Sequence, residues 1–143
     1  VDSDTMLGAQ SIGQGQILTS PLHMATVPAA IADGAWRNPV LVTEPAREDL
    51  PEPTPIPQAE TIRPMMRAVI TDGTAEDAGF QGEVYGKTGS AEFGTPEGDD
   101  DELPTHAWMV GYKGDVAFAL VVEGGGGGGS VAGPLAAAFT NAL

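Results

Sequence analysis

Lys87, Thr88, Gly89 and Ser90 place an ammonium, two hydroxyls and a stretch of bare backbone side by side. Such a group can hold a carboxylate. The ammonium supplies charge, the hydroxyls donate directed hydrogen bonds, and the glycine lets a ligand reach the main chain. The four residues sit inside EVYGKTGSAEFG, residues 83–94, where Val84, Tyr85, Thr88 and Phe93 favour an extended strand. Gly86 and Gly89 weaken packing within that strand but permit close approach of another backbone or a ligand. Taken alone, the tetrapeptide fits better an ordinary edge strand with a solubilising lysine. The surrounding elements decide between the two readings.

Residues 1–10 carry no clear periodicity, and residues 11–16 form a polar, glycine-marked loop. Ser20 as N-cap and Pro21 at the first helical position predict a helix to about Ala32, with Gly34 as its stop. Leu22, Ala25, Ala29 and Ala32 would form its packing face, and Pro28 would kink or loosen it. Residues 37–41 predict a short extended piece. Pro45, Pro51, Pro53, Pro55 and Pro57 mark a surface excursion of polyproline-like conformation. Residues 60–71 return to helical spacing, with Ile62, Met65, Met66, Val69 and Ile70 on the apolar side and Pro64 in the first turn or at a bend.

After the KTGS strand comes an acidic loop containing Glu97, Asp99, Asp100, Asp101 and Glu102. Its spacing does not match an EF-hand, so it reads as a solvated loop and not a calcium site. Residues 105–113 predict a second strand and 116–123 a third, joined by a tight turn at Gly114 and Asp115. The third is apolar on both faces and is therefore expected to be central and covered. Residues 124–129 are all glycine, which by composition resembles a linker. A plausible helix follows over 130–143, so the glycines read as a loop within one domain. The order of elements predicts an α+β fold, an antiparallel sheet with helices packed on it.

With 143 residues and 41% hydrophobic content, the chain is long and apolar enough for one globular domain. Its 20 Asp and Glu against 6 Lys and Arg give a net charge of −14, which disfavours nucleic-acid binding. The absence of cysteine excludes disulfides and thiolate metal sites. No apolar run approaches the length of a membrane span. No metal or cofactor is expected.

Five segments, taken in order, resemble the C-terminal part of a penicillin-binding protein transpeptidase domain of class B type. They are GQGQILTSPLHMA (13–25), RPMMRAVITDGTA (63–75), YGKTGSAEFG (85–94), HAWMVGY (106–112) and AFALVVEGGGGGGSVAGPLA (117–136). The family carries a Ser-x-x-Lys, a Ser-x-Asn type triplet and a Lys-Thr-Gly. Only the third occurs here, as Lys87-Thr88-Gly89. Residues 1–143 are therefore expected to be the C-terminal portion of one transpeptidase domain, with the nucleophilic serine, its lysine and the middle motif upstream of Val1. Lacking them, the isolated chain is expected to be unable to acylate, and because its strands lack a sheet neighbour it is expected to fold poorly alone.

The resemblance implies a serine acyl-transfer enzyme that crosslinks peptidoglycan stem peptides ending in D-alanyl-D-alanine and is trapped by β-lactams. By position, Lys87 would supply positive potential and join the proton network at the reacting centre. The backbone N–H of Ser90 would be an oxyanion-hole donor, and the hydroxyls of Thr88 and Ser90 would bind the substrate carboxylate. Gly89 would let the substrate lie along the strand. Expected partners are the stem peptide, β-lactam antibiotics and the nucleophile-bearing upstream part of the same protein. The expected location is extracytoplasmic, anchored through an N-terminal membrane segment. Alternatives within the fold are a serine β-lactamase and a β-lactam sensor or inactive scaffold.

No chemistry is assigned to Gln14. Glu92, Trp108, Tyr112, His23, His106, Met65 and Met66 read as surface, wall or packing residues.

Overall fold

The computed structural model describes residues 3–45, 47, 49–94 and 103–143. In chain order the elements are α1 (Asp4–Ser11), α2 (Pro21–Asp33), β1 (Ala35–Trp36), β2 (Thr54–Pro55), α3 (Ala59–Thr71), β3 (Val84–Glu92), β4 (Thr105–Lys113), β5 (Val116–Val122) and α4 (Gly133–Asn141). A 3-10 turn, Glu76–Ala78, precedes β3, and a π-helical turn, Gly128–Ala132, leads into α4. The acidic loop lies almost wholly outside the described residues.

The caps of α2 follow from the sequence. Ser20 Oγ accepts the N–H of His23 at 3.2 Å, and Gly34 closes the helix at φ 80°, donating its N–H to Ala30. This left-handed conformation suits a residue without Cβ. The helix runs on through Pro28, which is buried.

The expected packing face of α2 is displaced. Thr26, Pro28, Ala30 and Ile31 point inward, while Leu22 is 46% exposed. Ile31 buries more apolar area than an alanine could. The Thr26 hydroxyl is satisfied there, donating to the His23 carbonyl at 2.7 Å and accepting from Trp36 Nε1 at 3.2 Å. Leu22, Ala25, Ala29 and Ala32 instead line an open groove of about 560 Å³ with Tyr112 and Ala117.

Other expectations also shift. Residues 4–11 form α1, started by Ser3 Oγ accepting from Met6 N–H at 3.1 Å. The helix buries no residue, so it leaves no apolar stripe in the sequence. The proline-rich segment returns as β2 to pair antiparallel with β1, Trp36 opposite Thr54, and the extended pairing falls at 35–36, just before the expected piece. On α3 the buried stripe is Ala59, Met66 and Ile70, while Met65 is 62% exposed. Met65 stands one residue, about 100°, off that stripe. Pro64 lies in the second turn, and the helix continues past it.

β3, β4 and β5 form one antiparallel sheet in that order. Among the described residues β4 is therefore the central strand and β5 an edge strand, contrary to the expectation. The apolar run of β5 has another cause, because both its faces are covered. Ala117 packs with Ile31 and Tyr112 beneath α2, and Phe118 joins Val84, Met109, Ala132 and Ala136 beneath α4.

α3 lies against β3, with Ile70 in the second of these clusters and Met66 in the first. Gly86 faces Gly111 directly across the β3–β4 ladder. A Cβ on Gly86 would run into Met109 Cε, and one on Gly111 into the Tyr85 carbonyl oxygen. Gly86 thus serves core packing, while the ligand-facing role expected for it falls elsewhere. Among the described residues no helix is long and apolar enough to cross a membrane.

Arg63 ties α3 to the end of α2. Its guanidinium donates to the carbonyls of Ile31 and Ala32, both at 2.9 Å, and to Glu60 Oε1 at 2.6 Å. These carbonyls belong to the last turn of α2, where helix acceptors lack intrahelical partners. Arg63→Ala is expected to destabilise the domain by about 2 kcal/mol. A thermal melt of the intact protein checks this, and an unchanged midpoint would contradict it.

Candidate active site

In an extended strand, successive residues turn their backbone groups to opposite edges. Phe93 donates its N–H to Pro104 on the β4 side. The even-numbered residues face the other way: Val84 O accepts from Arg67 Nη1 at 2.8 Å, and Glu92 N–H donates to Gln14 Oε1 at 3.2 Å. Thr88 and Ser90 share this parity, so their N–H groups point to the outer edge of β3. The side chains alternate too. Val84, Gly86, Thr88 and Ser90 look toward α4, whereas Tyr85 and Lys87 lie on the other face, where Tyr85 stacks on Tyr112 with centroids 4.7 Å apart. The Tyr85 hydroxyl donates to Glu83 at 2.5 Å, and this bond to the carboxylate pushes its pKa above the ordinary phenol value.

The outer edge of β3 borders a cleft of about 730 Å³ whose walls include Lys87, Thr88, Gly89, Ser90, Thr74 and Ser130. All four residues singled out in the sequence therefore meet at one opening. Lys87 Nζ donates to the Thr88 carbonyl at 2.7 Å, which holds the ammonium at that edge. The Thr88 hydroxyl is nearly buried and shares a 2.6 Å hydrogen bond with the Thr74 hydroxyl. Ser90 Oγ accepts the N–H of Gly128 at 3.3 Å, leaving its own proton to donate to a ligand. Four hydroxyl residues, a cation and outward N–H groups form a set of hydrogen-bond donors suited to an anion.

The glycine run completes this wall. The first turn of the C-terminal helix enters between β3 and residue 74. A Cβ on Gly128 would lie 2.6 Å from the Trp108 carbonyl oxygen and 2.8 Å from Gly89 N, and one on Gly129 would overlap the Thr74 carbonyl oxygen. Real Cβ atoms do not come this close, so the segment needs glycine where composition alone suggests a linker. The Cβ position of Gly89 meets only Trp108 Cβ, at 3.3 Å, and the space beside it is otherwise open.

Sequence reasoning missed Thr74, Gly128, Gly129 and Gln14. Gln14 Nε2 donates to the Ser90 carbonyl at 3.1 Å, opposite the bond from Glu92 N–H to its Oε1. Contacts across 76 and 78 residues leave no local signal. Glu92 stands exposed at the end of β3, Trp108 is half-buried as a wall residue, and Tyr112 is buried in the core, as read. His106 stacks on Phe93 at 3.9 Å and accepts from Gly124 N–H, whereas His23 is exposed in the first turn of α2. Among the described residues no three His, Asp or Glu side chains group as a metal site.

The chain matches the penicillin binding protein transpeptidase domain over residues 2–141 and belongs to that family. It is 34% identical over 148 residues to the peptidoglycan D,D-transpeptidase PbpA of Mycolicibacterium smegmatis, covering 92% of this chain and 30% of that protein. Penicillin-binding protein 3 of Bacillus subtilis is 32% identical over 133 residues, covering 86% of this chain and 20% of that protein. PbpA of Mycobacterium tuberculosis strain H37Rv is 30% identical over 154 residues, covering 96% and 31%. The chain thus spans at most 31% of the length of these curated relatives.

Gly128→Ala tests the close approach on which the cleft depends. The added methyl must push the helix away from β3, so the intact protein is expected to lose about 1–3 kcal/mol of stability. Differential scanning calorimetry reads this as a lower transition temperature, and an unchanged transition would contradict the packing described.

Proposed function

We propose that this chain forms one wall of a D,D-transpeptidase active site, the wall that receives the D-alanyl-D-alanine end of a peptidoglycan stem peptide. The observation that carries the reading is the outward N–H of Ser90, flanked by the Thr88 and Ser90 hydroxyls and the Lys87 ammonium at one cleft. The relatives' names, peptidoglycan D,D-transpeptidase and penicillin-binding protein, favour this activity within the family. The serine nucleophile, its lysine partner and the middle motif then belong to the rest of the protein, upstream of this segment. Among the described residues the outer edge of β5 pairs with no strand, which leaves its backbone groups open to a further strand from that upstream part. The site of action is extracytoplasmic, where peptidoglycan is crosslinked, with a membrane anchor in the upstream part.

In the proposed reaction the upstream serine Oγ bonds to the penultimate carbonyl carbon, and the carbonyl oxygen takes up negative charge. The Ser90 N–H, already directed to the cleft, donates to that oxyanion as one of two donors; preorganised donors of this kind contribute about 3–4 kcal/mol. The C–N bond to the terminal D-alanine then breaks, and the proton from the serine goes to the leaving amine. An amine of a neighbouring peptide next attacks the ester carbonyl, forms the new amide bond and gives up a proton to the serine oxygen as the ester C–O bond breaks. Throughout, the terminal carboxylate is held by the Thr88 and Ser90 hydroxyls, with Thr74 fixing the Thr88 rotamer through their shared hydrogen bond. Lys87 adds positive potential at the reacting centre. A β-lactam presents the same carboxylate and carbonyl and is trapped as the acyl-enzyme.

Lys87→Ala in the intact protein is expected to slow acylation by a fluorescent penicillin at least tenfold, an effect of about 1.4 kcal/mol or more. Timed gel fluorescence measures it, and an unchanged rate would remove Lys87 from this role.

A further inference from the structure

We infer that Gln14 is a positioning residue for this reaction, closing the edge of β3 just beyond the oxyanion donor and setting where an added substrate chain must stop. The inference rests on the transpeptidase reading of the cleft.

A peptide that adds to a strand edge needs outward C=O and N–H groups that are free. Along β3 these are taken from both ends. Arg67 Nη1 occupies the Val84 carbonyl at 2.8 Å, and Lys87 Nζ occupies the Thr88 carbonyl at 2.7 Å. The Gln14 carboxamide takes two groups at once, the Ser90 carbonyl at 3.1 Å and the Glu92 N–H at 3.2 Å. It occupies the place that one more peptide unit of a neighbouring strand would fill. Among the described residues, the outward groups left open between Arg67 and Gln14 are the N–H and C=O of Gly86 and the N–H groups of Thr88 and Ser90. A substrate chain can pair as far as Ser90 and no further, which sets its reacting carbonyl at the Ser90 N–H. Holding the peptide on the far side of Ser90 also restrains that residue's dihedrals, and with them the direction of its N–H.

The backbone beneath Gln14 is fixed, as a stop requires. Gln14 N–H donates to Ala9 O at 2.9 Å and Gly13 N–H to Gln10 O at 3.1 Å, anchoring the loop to the end of α1. Gly13 and Gly15 lie at φ 81° and 68°, in the left-handed region that favours glycine. A Cβ on Gly15 would come within 2.9 Å of Met6 Sδ. The Gly-Gln-Gly sequence is thus a mount for one side chain, and α1 is the base of that mount.

The test uses Gln14→Ala and Gln14→Glu in the intact protein, with stopped-flow acylation by penicillin separating the dissociation constant from the first-order acylation constant. Gln14→Ala is expected to lower the acylation constant about tenfold, as loss of two modest hydrogen bonds allows, with little change in the dissociation constant or melting temperature. Gln14→Glu keeps an acceptor for Glu92 N–H but sets a carboxylate against the Ser90 carbonyl. Its rate relative to the unsubstituted protein is expected to be low at pH 8 and to recover as the pH falls to about 4, below the ordinary Glu pKa of about 4.3, where a protonated carboxyl donates again. Unsubstituted rates in both variants would overturn the inference. So would a joint loss of affinity, rate and melting temperature in Gln14→Ala without pH recovery in Gln14→Glu. If Gln14→Ala does not fold, the pH profile of Gln14→Glu decides alone. An unsubstituted protein that takes up no penicillin would instead overturn the transpeptidase reading, and this inference with it.

Discussion

The backbone of Gly128 approaches the backbone of β3 and β4 so closely that no side chain fits between them. Packing at this distance joins the C-terminal helix directly to the strand that borders the cleft. The helix brings its first turn to Ser90, where the Gly128 N–H engages the serine oxygen. The same turn passes Thr74, whose hydroxyl holds that of Thr88. Both of these hydroxyl contacts therefore sit against glycines that carry no chemistry themselves. A larger residue at Gly128 or Gly129 would separate the helix from the sheet and widen the cleft.

The second constraint is that one strand must be both a core element and a binding edge. Toward α4, β3 contributes the fully buried Val84 and the glycine at 86 that accommodates Met109. Its backbone keeps an outer edge that β4 does not use. An unprotected edge invites association with other strands. Here α3, through Arg67, covers one end of that edge, and the Gln14 loop covers the other. What stays open is short, flanked by a lysine and placed inside a cleft. Protection against unwanted pairing follows from this arrangement, and under the proposed function so would selection of one substrate register.

Much of this was legible in the sequence where the signal is local. Ser20, Pro21 and Gly34 mark α2 because capping is settled within a few residues of each helix end. The strands β3, β4 and β5 stand out by composition and turn residues, and Lys87 to Ser90 assemble at one opening as expected. The segments that failed are those whose environment is set from afar. β5 reads as central because both its faces are apolar, yet that apolarity reflects α2 on one side and α4 on the other. Met65 reads as buried because methionine is apolar, while the orientation of α3 is set by Met66 and Ile70. Gln14 and Thr74 look like loop residues, since their partners lie 76 and 14 positions away.

The central claim is that the Ser90 N–H at the open edge of β3 receives the reacting carbonyl. A crystal structure of the intact protein acylated by a penicillin tests it most directly. The account predicts the ester carbonyl oxygen within hydrogen-bond distance of the Ser90 nitrogen, the penicillin carboxylate on the Thr88 and Ser90 hydroxyls, and Gln14 still seated on Ser90 and Glu92. An acyl-enzyme whose carbonyl and carboxylate both lie away from β3 would contradict it.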